Sequence, residues 1–405
     1  MSKTKYYIFL LVLIIILGSP SLIGKVYSWW DVGHKAIVAK AIDYMPEKWY
    51  KFFKHYQYFL EETSLWPDTV LAMKAGESYN HYYDSEYPLE EHITNPEYGR
   101  LPWRVDELVK NLTDYIKQED WYNVLVTAGV LSHYLADSSQ PYHSTKDYNP
   151  PLTRDIQAPG VQPKHAVVER THAEHIDEII PPDLNITPTY IDDPFRYMFQ
   201  FLNESYSFLD EMNSIVLGED VMDPSDDRDW PELKPIFVNR TVRAIWLVSS
   251  MWYTAIVDAE AIDKAPDPAI FMELDISLKG MDMPSILTNV RFTVRVVDKL
   301  GVPVDPDNVK LRFGDDLIEL KRADLGEYSG IIPPEILSKY GGTTITVNID
   351  VSKEGYEPKS LSKTVTVPLY EEEKGEEHVV DPLLFIGVTV AIVALAATIY
   401  LIKRR

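Results

Sequence analysis

The chain has 405 residues, a formal charge of −23, 45% apolar residues and no cysteine. Its length exceeds one ordinary domain and its apolar fraction suffices for a large core, so at least two globular domains are expected. The absence of thiols excludes disulfides and thiolate metal sites, and the negative charge disfavours long-range attraction to nucleic acid or to anionic membranes.

Lys3 and Lys5 precede an apolar run from Tyr6 to Gly18, and Val26-Tyr27-Ser28 offers a cleavage point, so residues 1–28 read as a secretory signal. Cleavage after Ser28 makes Trp29 the mature N-terminus, followed by Gly33, His34 and an apolar-periodic helix through Met45. A free α-amino group ligates metal once deprotonated, and His34 stands close enough in sequence to bind the same ion. Further on, Trp66-Pro67-Asp68 adds a carboxylate, and His81-Tyr82-Tyr83-Asp84 adds an imidazole and a second carboxylate. Helical periodicity runs over Leu108–Lys117, Tyr122–Asp137, Val167–Ile180, Pro194–Met212 and Arg240–Ala261.

The most informative stretch is His133 to His143, where His133, Asp137 and His143 stand at offsets of zero, four and ten. On a helix, His133 and Asp137 lie one turn apart on one face and can grip one ion together. Pro141 is expected to stop that helix and turn the chain back, so that His143 serves a second ion. A lone His-x-x-x-Asp pair is usually a surface hydrogen bond, but His165 and Glu169 repeat the spacing beyond a proline-rich loop. His172 and His175 compete with His165 on the same predicted helix, yet neither has a carboxylate four residues later. His55, His92 and His378 have no slot in this scheme. Asp84 is expected to orient an imidazole rather than bind metal. Trp66, Tyr79, Tyr82 and Tyr142 either line a substrate cleft or pack in the core.

These motifs resemble the zinc-dependent phospholipase C family and its distant relatives, the S1/P1-type nucleases. Trp29 to His34 is similar to the nuclease spacing Trp-x-x-x-Gly-His. His81-Tyr-Tyr-Asp84 and the His133-to-His143 segment resemble the phospholipases, as does His-x-x-x-Glu at His165 and Glu169. The resemblance covers roughly residues 29 to 262. It implies three zinc ions: one on Asp68, His81, His133 and Asp137; one on the amino group and carbonyl of Trp29 with His34, bridged by Asp137; and one on His143, His165 and Glu169. It also implies phosphodiester hydrolysis. Several cations neutralise the phosphate oxygens, and zinc lowers the pKa of water to about 7, supplying hydroxide near neutral pH. Asp68 is the candidate to orient or deprotonate that water. Ala136, where phospholipases often have Gly, and Thr69 depart from the family pattern.

After Pro266 the pattern changes to period two, over Phe271–Leu278, Val290–Val297, Val309–Phe313 and Thr343–Val351. This suggests a β-sandwich of roughly 100 residues resembling immunoglobulin-like modules. Glu371-Glu-Glu-Lys-Gly-Glu-Glu377 reads as an acidic linker. Leu383 to Ile402 carries no charge and precedes Lys403-Arg404-Arg405, as in a single membrane-spanning helix with a cytoplasmic basic tail. Sequons at Asn111, Asn185, Asn203 and Asn239 are compatible with export.

The expected organisation is therefore multidomain. It comprises a signal peptide (1–28), an all-α metal-dependent catalytic domain (29–265), an immunoglobulin-like β-sandwich (266–370), a linker (371–382), a transmembrane helix (383–402) and a tail (403–405). The expected function is an extracellular, membrane-anchored, trinuclear-zinc phosphodiesterase, foremost a phospholipase C acting on phospholipid. A single-strand nuclease on the same scaffold is the alternative, and the only reading in which nucleic acid is a partner. A third reading is a surface adhesin that keeps zinc only to hold its fold; purely structural zinc, however, favours closed four-ligand sites and usually thiolates.

Overall fold

The structure is a computed structural model that describes residues 30–147, 164–216 and 230–370. The expected signal, Trp29, the acidic linker, the apolar run Leu383–Ile402 and the basic tail lie outside the described residues. So does most of the proline-rich loop between His143 and His165. Among the described residues no helix is long and apolar enough to cross a membrane.

The chain divides into two compact units. The first runs to Asp275 and also takes in Val297–Val304 and Gly355–Glu357, while the second holds Ile276–Val296, Asp305–Glu354 and the residues from Pro358. The first unit is helical: α1 (Trp30–Ile42), α2 (Glu47–His55), α3 (Gln57–Thr63), α4 (Leu89–Thr94), α5 (Leu101–Gln118), α6 (Trp121–Asp137), α7 (Lys164–Glu174), α8 (Ile176–Ile179), α9 (Pro194–Tyr206), α10 (Leu209–Val216) and α11 (Trp230–Asp258). In α5 the buried Leu101, Val105, Leu108, Leu112 and Ile116 recur at three- and four-residue steps, and this stripe packs against α6, α9 and α11. Asp120 caps α6 by accepting from the Asn123 amide at 3.3 Å, and Asp193 caps α9 ahead of Pro194.

Aromatic rings fill the core between helices. Trp49, Phe52, Phe53, Trp121 and Trp252 meet edge to face, with Phe53 and Trp252 at 5.1 Å. Burying a side chain of Phe size stabilises by roughly 1.5–3 kcal/mol. Gly129 sets how closely α3 approaches α6. A Cβ there would stand 1.9 Å from Thr63 Oγ1 and 2.9 Å from the Leu60 carbonyl.

Several helix bounds differ from those read in the sequence. The long run Pro194–Met212 is two helices, α9 and α10, and Val167–Ile180 is likewise broken into α7 and α8. The closing helix begins at Trp230, well before Arg240, because Pro231 occupies the first turn, where no intrahelical N–H bond is needed. Helix α6 ends at Asp137, before Pro141 rather than because of it, and Pro141 opens a 3₁₀ turn, Pro141–Ser144.

The second unit has two four-stranded sheets, with strand orders β1-β2-β6-β5 and β4-β3-β7-β8. The strands are β1 (Asp275–Lys279), β2 (Val290–Val297), β3 (Asn308–Phe313), β4 (Asp316–Ile318), β5 (Leu320–Asp324), β6 (Glu327–Ile332), β7 (Thr344–Ser352) and β8 (Lys359–Thr366), with α12 (Pro334–Lys339) between β6 and β7. In β2, Val290, Phe292, Val294 and Val296 are buried while Arg291 is exposed, the alternation of a strand with one face to the core. Val347, Ile349 and Val351 do the same in β7. The period-two run from Phe271 gives a shorter strand than expected, because Pro268–Phe271 coil into a 3₁₀ turn.

Candidate metal centre

Helix α6 carries His133 and Asp137 on one buried face, with nothing of either side chain exposed. His133 Nε2 lies 3.3 Å from Asp137 Oδ2. Its Nδ1 donates to the Ser64 carbonyl at 2.7 Å, which fixes the ring and leaves Nε2 as the nitrogen that can ligate a metal once deprotonated. The close approach at Gly129 makes this bond possible, since Ser64 ends α3 and His133 stands one turn beyond Gly129. From α1, His34 stacks on His133 at 4.0 Å and points Nε2 at Asp137 Oδ1, 3.5 Å away.

The break after Asp137 is built to end the helix and re-aim the chain. The Ser138 and Ser139 hydroxyls donate to the Leu135 and Ala136 carbonyls at 2.7 Å each, using up orphan acceptors of the last turn. The Ser138 carbonyl accepts from Ser205 Oγ on α9 at 2.6 Å, and the Ser139 carbonyl accepts from Arg240 Nε on α11 at 3.0 Å. Arg240 is fully buried and also donates to Glu204 and Ser205, each at 2.7 Å. Gln140 Oε1 accepts from the Tyr142 amide at 2.6 Å, starting the 3₁₀ turn that presents His143. The three residues between Asp137 and Pro141 are therefore held by two other helices and by their own side chains.

His143 then donates from Nδ1 to the His81 carbonyl at 2.7 Å and turns Nε2 toward His165 Nε2, 2.9 Å away. His165 and Glu169, one turn apart on α7, meet at 2.8 Å, and Glu169 Oε1 is 3.4 Å from His143 Nε2. His81 Nδ1 is 3.0 Å from Asp137 Oδ2, 3.1 Å from His133 Nε2 and 3.7 Å from Asp68 Oδ1. Among the described residues three groups of donor atoms result: His34, His133 and Asp137; Asp68, His81 and His133; and His143, His165 and Glu169. Within each group the ligand atoms lie within 4.8 Å of one another. His133 belongs to two groups, so the first two adjoin.

The chemistry of these donors fits a cation. Imidazole nitrogens facing one another at 2.9 and 3.1 Å aim lone pairs at shared points, while among the described residues neither nitrogen of buried His34 nor Glu169 Oε2 has a hydrogen-bond partner. All donors are nitrogen or oxygen, the set that suits zinc without thiolate. Electrostatics agree. Burial lowers the His133 pKa, but the negative charges of Asp137 and Asp68 outweigh it and push it up to about 9. For His143, burial is likewise outweighed by Asp137 and Glu169, again to about 9. Burial raises Asp137 and Glu169, yet their imidazole neighbours hold both below the ordinary carboxylate range. The site thus draws in positive charge. Burial raises Asp68 above its usual value, with His133 and His81 opposing. Burial, helped by His133, drives His34 well down.

Other residues fall elsewhere. His172 is buried against Thr241 at 2.8 Å, and His175 stacks on Trp230 at 3.9 Å and meets Glu178. Neither belongs to the three groups. His92 is a core histidine facing the Gly99 and Asp84 carbonyls. The expectation that the Asp84 carboxylate orients a ligand imidazole is corrected: the acceptors at His133 and His143 are main-chain carbonyls, and Asp84 Oδ1 has no hydrogen-bond partner among the described residues. Burial, with Glu86 nearby, lifts Asp84 to about 7. Tyr142 is wholly buried and bonds Asn213, so it packs in the core rather than lining a cleft. Glu77 escaped the sequence reading. Buried, it accepts from the Tyr134 hydroxyl and lies 4.0 Å from His81 Nε2, on the side of the ring away from the other ligands. Its place four residues before His81 is the same spacing that singled out the other pairs.

Residues 33–177 match the family model described as zinc dependent phospholipase C. The match contains every residue of the three donor groups, and the chain is accordingly a zinc-dependent phosphodiesterase of the phospholipase C kind. Among solved structures, the alpha toxin from Clostridium absonum is 13% identical, covering 84% of this chain and 95% of its own, with a TM-score of 0.40. The alpha-toxin from Clostridium perfringens avian strain SWCP is 11% identical, covering 83% and 97%, with a TM-score of 0.36. No curated protein sequence matches.

Proposed function

We propose that this chain is a phospholipase C acting on the glycerol-side phosphodiester of a phospholipid, releasing a phosphorylated headgroup and leaving a neutral glycerolipid. The observation that carries the reading is the convergence of three His/carboxylate groups, two sharing His133 and the third tied to them by the bond from His143 to the His81 carbonyl. Two of the groups supply His133, Asp68, His81, His34 and Asp137 as ligands, and the third supplies His143, His165 and Glu169. The mature amino terminus at Trp29 would complete the ligand set beside His34. Zinc, when bound, supplies Lewis acidity that neutralises phosphoryl oxygens and acidifies water.

The protein's own groups do the positioning. His133 and His143 are locked by carbonyls, Asp137 stands between imidazoles from α1, α6 and the segment before α4, and Arg240 holds the turn that links them. Asp68 would hold the attacking water by accepting its proton, and its partial exposure and raised pKa support that role. The negative charge of the chain favours a zwitterionic over an anionic headgroup.

The reading extends to export through residues 1–28 and an external catalytic domain anchored by Leu383–Ile402. The second unit is proposed as an immunoglobulin-like sandwich: its two strand orders correspond, in chain order, to the A-B-E-D and C′-C-F-G arrangement of such modules, which supports the assignment. The test uses protein starting at Trp29, with headgroup release measured from phosphatidylcholine vesicles with and without chelator, and single-stranded DNA in parallel. Chelator-sensitive headgroup release with intact DNA is expected. DNA cleavage without lipid turnover would move the chain to the nuclease branch, and inactivity on both with zinc bound would favour a structural metal.

A further inference from the structure

Residues 276–370 hold 12 Lys and Arg against 13 Asp and Glu, so nearly all of the −23 charge lies outside that stretch. Within the second unit, a groove of about 590 Å³ lies on the outer face of the β1-β2-β6-β5 sheet, lined by Lys279, Arg291, Thr293, Lys321, Ser329 and Ile331 among others. Strand register sets the pattern. Arg291 stands opposite Ile331, and Thr293 and Lys321 flank Ser329 on either side. Neighbouring strands are about 4.8 Å apart and alternate residues on a strand about 6.7 Å apart, so the long basic side chains reach one occupant. Other cations on this sheet are spent on partners: Arg295 on Glu327 at 3.9 Å and Arg322 on Asp305 at 2.8 Å. Lys279, Arg291 and Lys321 have no ion-pair partner among the described residues, and Glu319 is the one carboxylate lining the groove. The groove therefore presents uncompensated positive charge.

The chain itself supplies a complement. Glu371, Glu372, Glu373, Glu376 and Glu377 follow Tyr370 directly. The chain also leaves the second unit at the right end. Strand β8 finishes at Thr366, opposite Thr344, the first residue of β7, and Gly341 packs against the main chain of Pro368 and Tyr370. Gly341 follows α12, which follows the end of β6, and the groove takes in Ser329 and Ile331 at that same end of β6. Seven extended residues span up to about 23 Å, against about 10 Å between packed sheets. Attachment to the same unit gives such a segment a high effective concentration at the groove. We propose that this groove is an internal docking site for the chain's own segment Glu371–Glu377. Docking there neutralises the three cations, and it fixes where everything after residue 377 leaves the β unit.

The test is zero-length carbodiimide coupling on the full chain at about 0.15 M salt, in which a glutamate carboxylate and a lysine Nζ join as an amide and the carbodiimide takes up the water. Peptide mapping by mass spectrometry then reads the pairs. Lys339 and Asp316, 2.7 Å apart in the same unit, serve as the internal control for a folded β unit. Coupling of Lys279 and Lys321 to Glu371–Glu377 is expected, at several times the yield of coupling to Lys310, Lys359 or Lys363. It should fall at least fivefold in 1 M salt or with Arg291→Ala, and vanish when the five glutamates are replaced by glutamine, with the control pair unchanged. Equal yields to all these lysines, or no yield while the control pair couples, would overturn the proposal. So would amides that join isotopically labelled to unlabelled chains in a mixed sample, which would make the occupant a second copy.

Discussion

Replacing Arg240 by Met tests whether the turn between Asp137 and His143 is held from outside the metal cluster. The side chain is wholly buried and makes three charge-assisted bonds, to the Ser139 carbonyl, Glu204 and Ser205. Removing one partner of a buried charged pair costs about 3–5 kcal/mol, because the other is left uncompensated. Here Glu204 keeps Arg243 at 2.9 Å and is 36% exposed, so its charge stays satisfied and screened. What remains is the orphaned Ser139 carbonyl, about 1–3 kcal/mol, and the lost bond to Ser205. The expected loss is about 3 kcal/mol, at the bottom of the buried-pair range. For a domain of this size that lowers Tm by roughly 6–12 °C. Because the turn joins two proposed ligands, zinc affinity should also fall about tenfold, the lower end for a residue that orients metal ligands. Arg240→Lys should recover part of both, since an ammonium cannot reproduce the three-way fork. Thermal melts of the metal-free protein and competitive chelator titration give the two numbers. A Tm within 2 °C of the parent would refute the energetic argument. A lowered Tm with unchanged zinc affinity would leave Arg240 a packing residue and refute the positioning one.

Gly129→Ala should destabilise by about 2 kcal/mol even though alanine is the better helix former, because its Cβ meets Thr63 and the Leu60 carbonyl; urea melts measure it, and no loss would mean that α3 shifts freely. The pH dependence of the metal-free protein follows from His133 and His143 at about 9, above their unfolded value. Their stabilisation is complete below about pH 6.5 and lost as pH rises through about 9, so urea midpoints should drop between pH 7 and 10. The same shift means that zinc uptake at pH 7.5 expels about two protons from these imidazoles, seen by calorimetry in buffers of different ionisation enthalpy; release below half a proton would contradict it. Glu169→Gln should lose zinc at one position and leave the other sites loaded, whereas equal zinc content would remove Glu169 from the ligand set. A single residue retained before Trp29 should weaken one ion, and unchanged metal content would exclude the amino-terminal ligand.

Much of the cluster was legible because its ligands come in helical pairs. His133 with Asp137 and His165 with Glu169 follow the one-turn rule, and that rule also separated His165 from His172, which the structure places against Thr241. What holds these pairs was not legible. The acceptors at Ser64 and His81 are main-chain atoms, present whatever the side chain, and Arg240 and Ser205 reach the site from far along the chain. Pro141 drew attention as a breaker, but the preceding serines end the helix by binding its last carbonyls. In the β unit, β2 and β7 showed in the alternation because one face of each is buried. Strands β4 and β5 did not, since one has three residues and the other is exposed over four of its five positions.

The bond from His143 to the His81 carbonyl joins members of two different donor groups. Any ion that draws His81 into place also draws its carbonyl, and with it the ring of His143. With zinc on the proposed ligands, occupancy of one position would prepare the next and loading should be cooperative: partly filled protein would be scarce, with chains either full or empty. A steep titration curve would then reflect a single hydrogen bond between neighbouring ligands as much as the affinity of any one site.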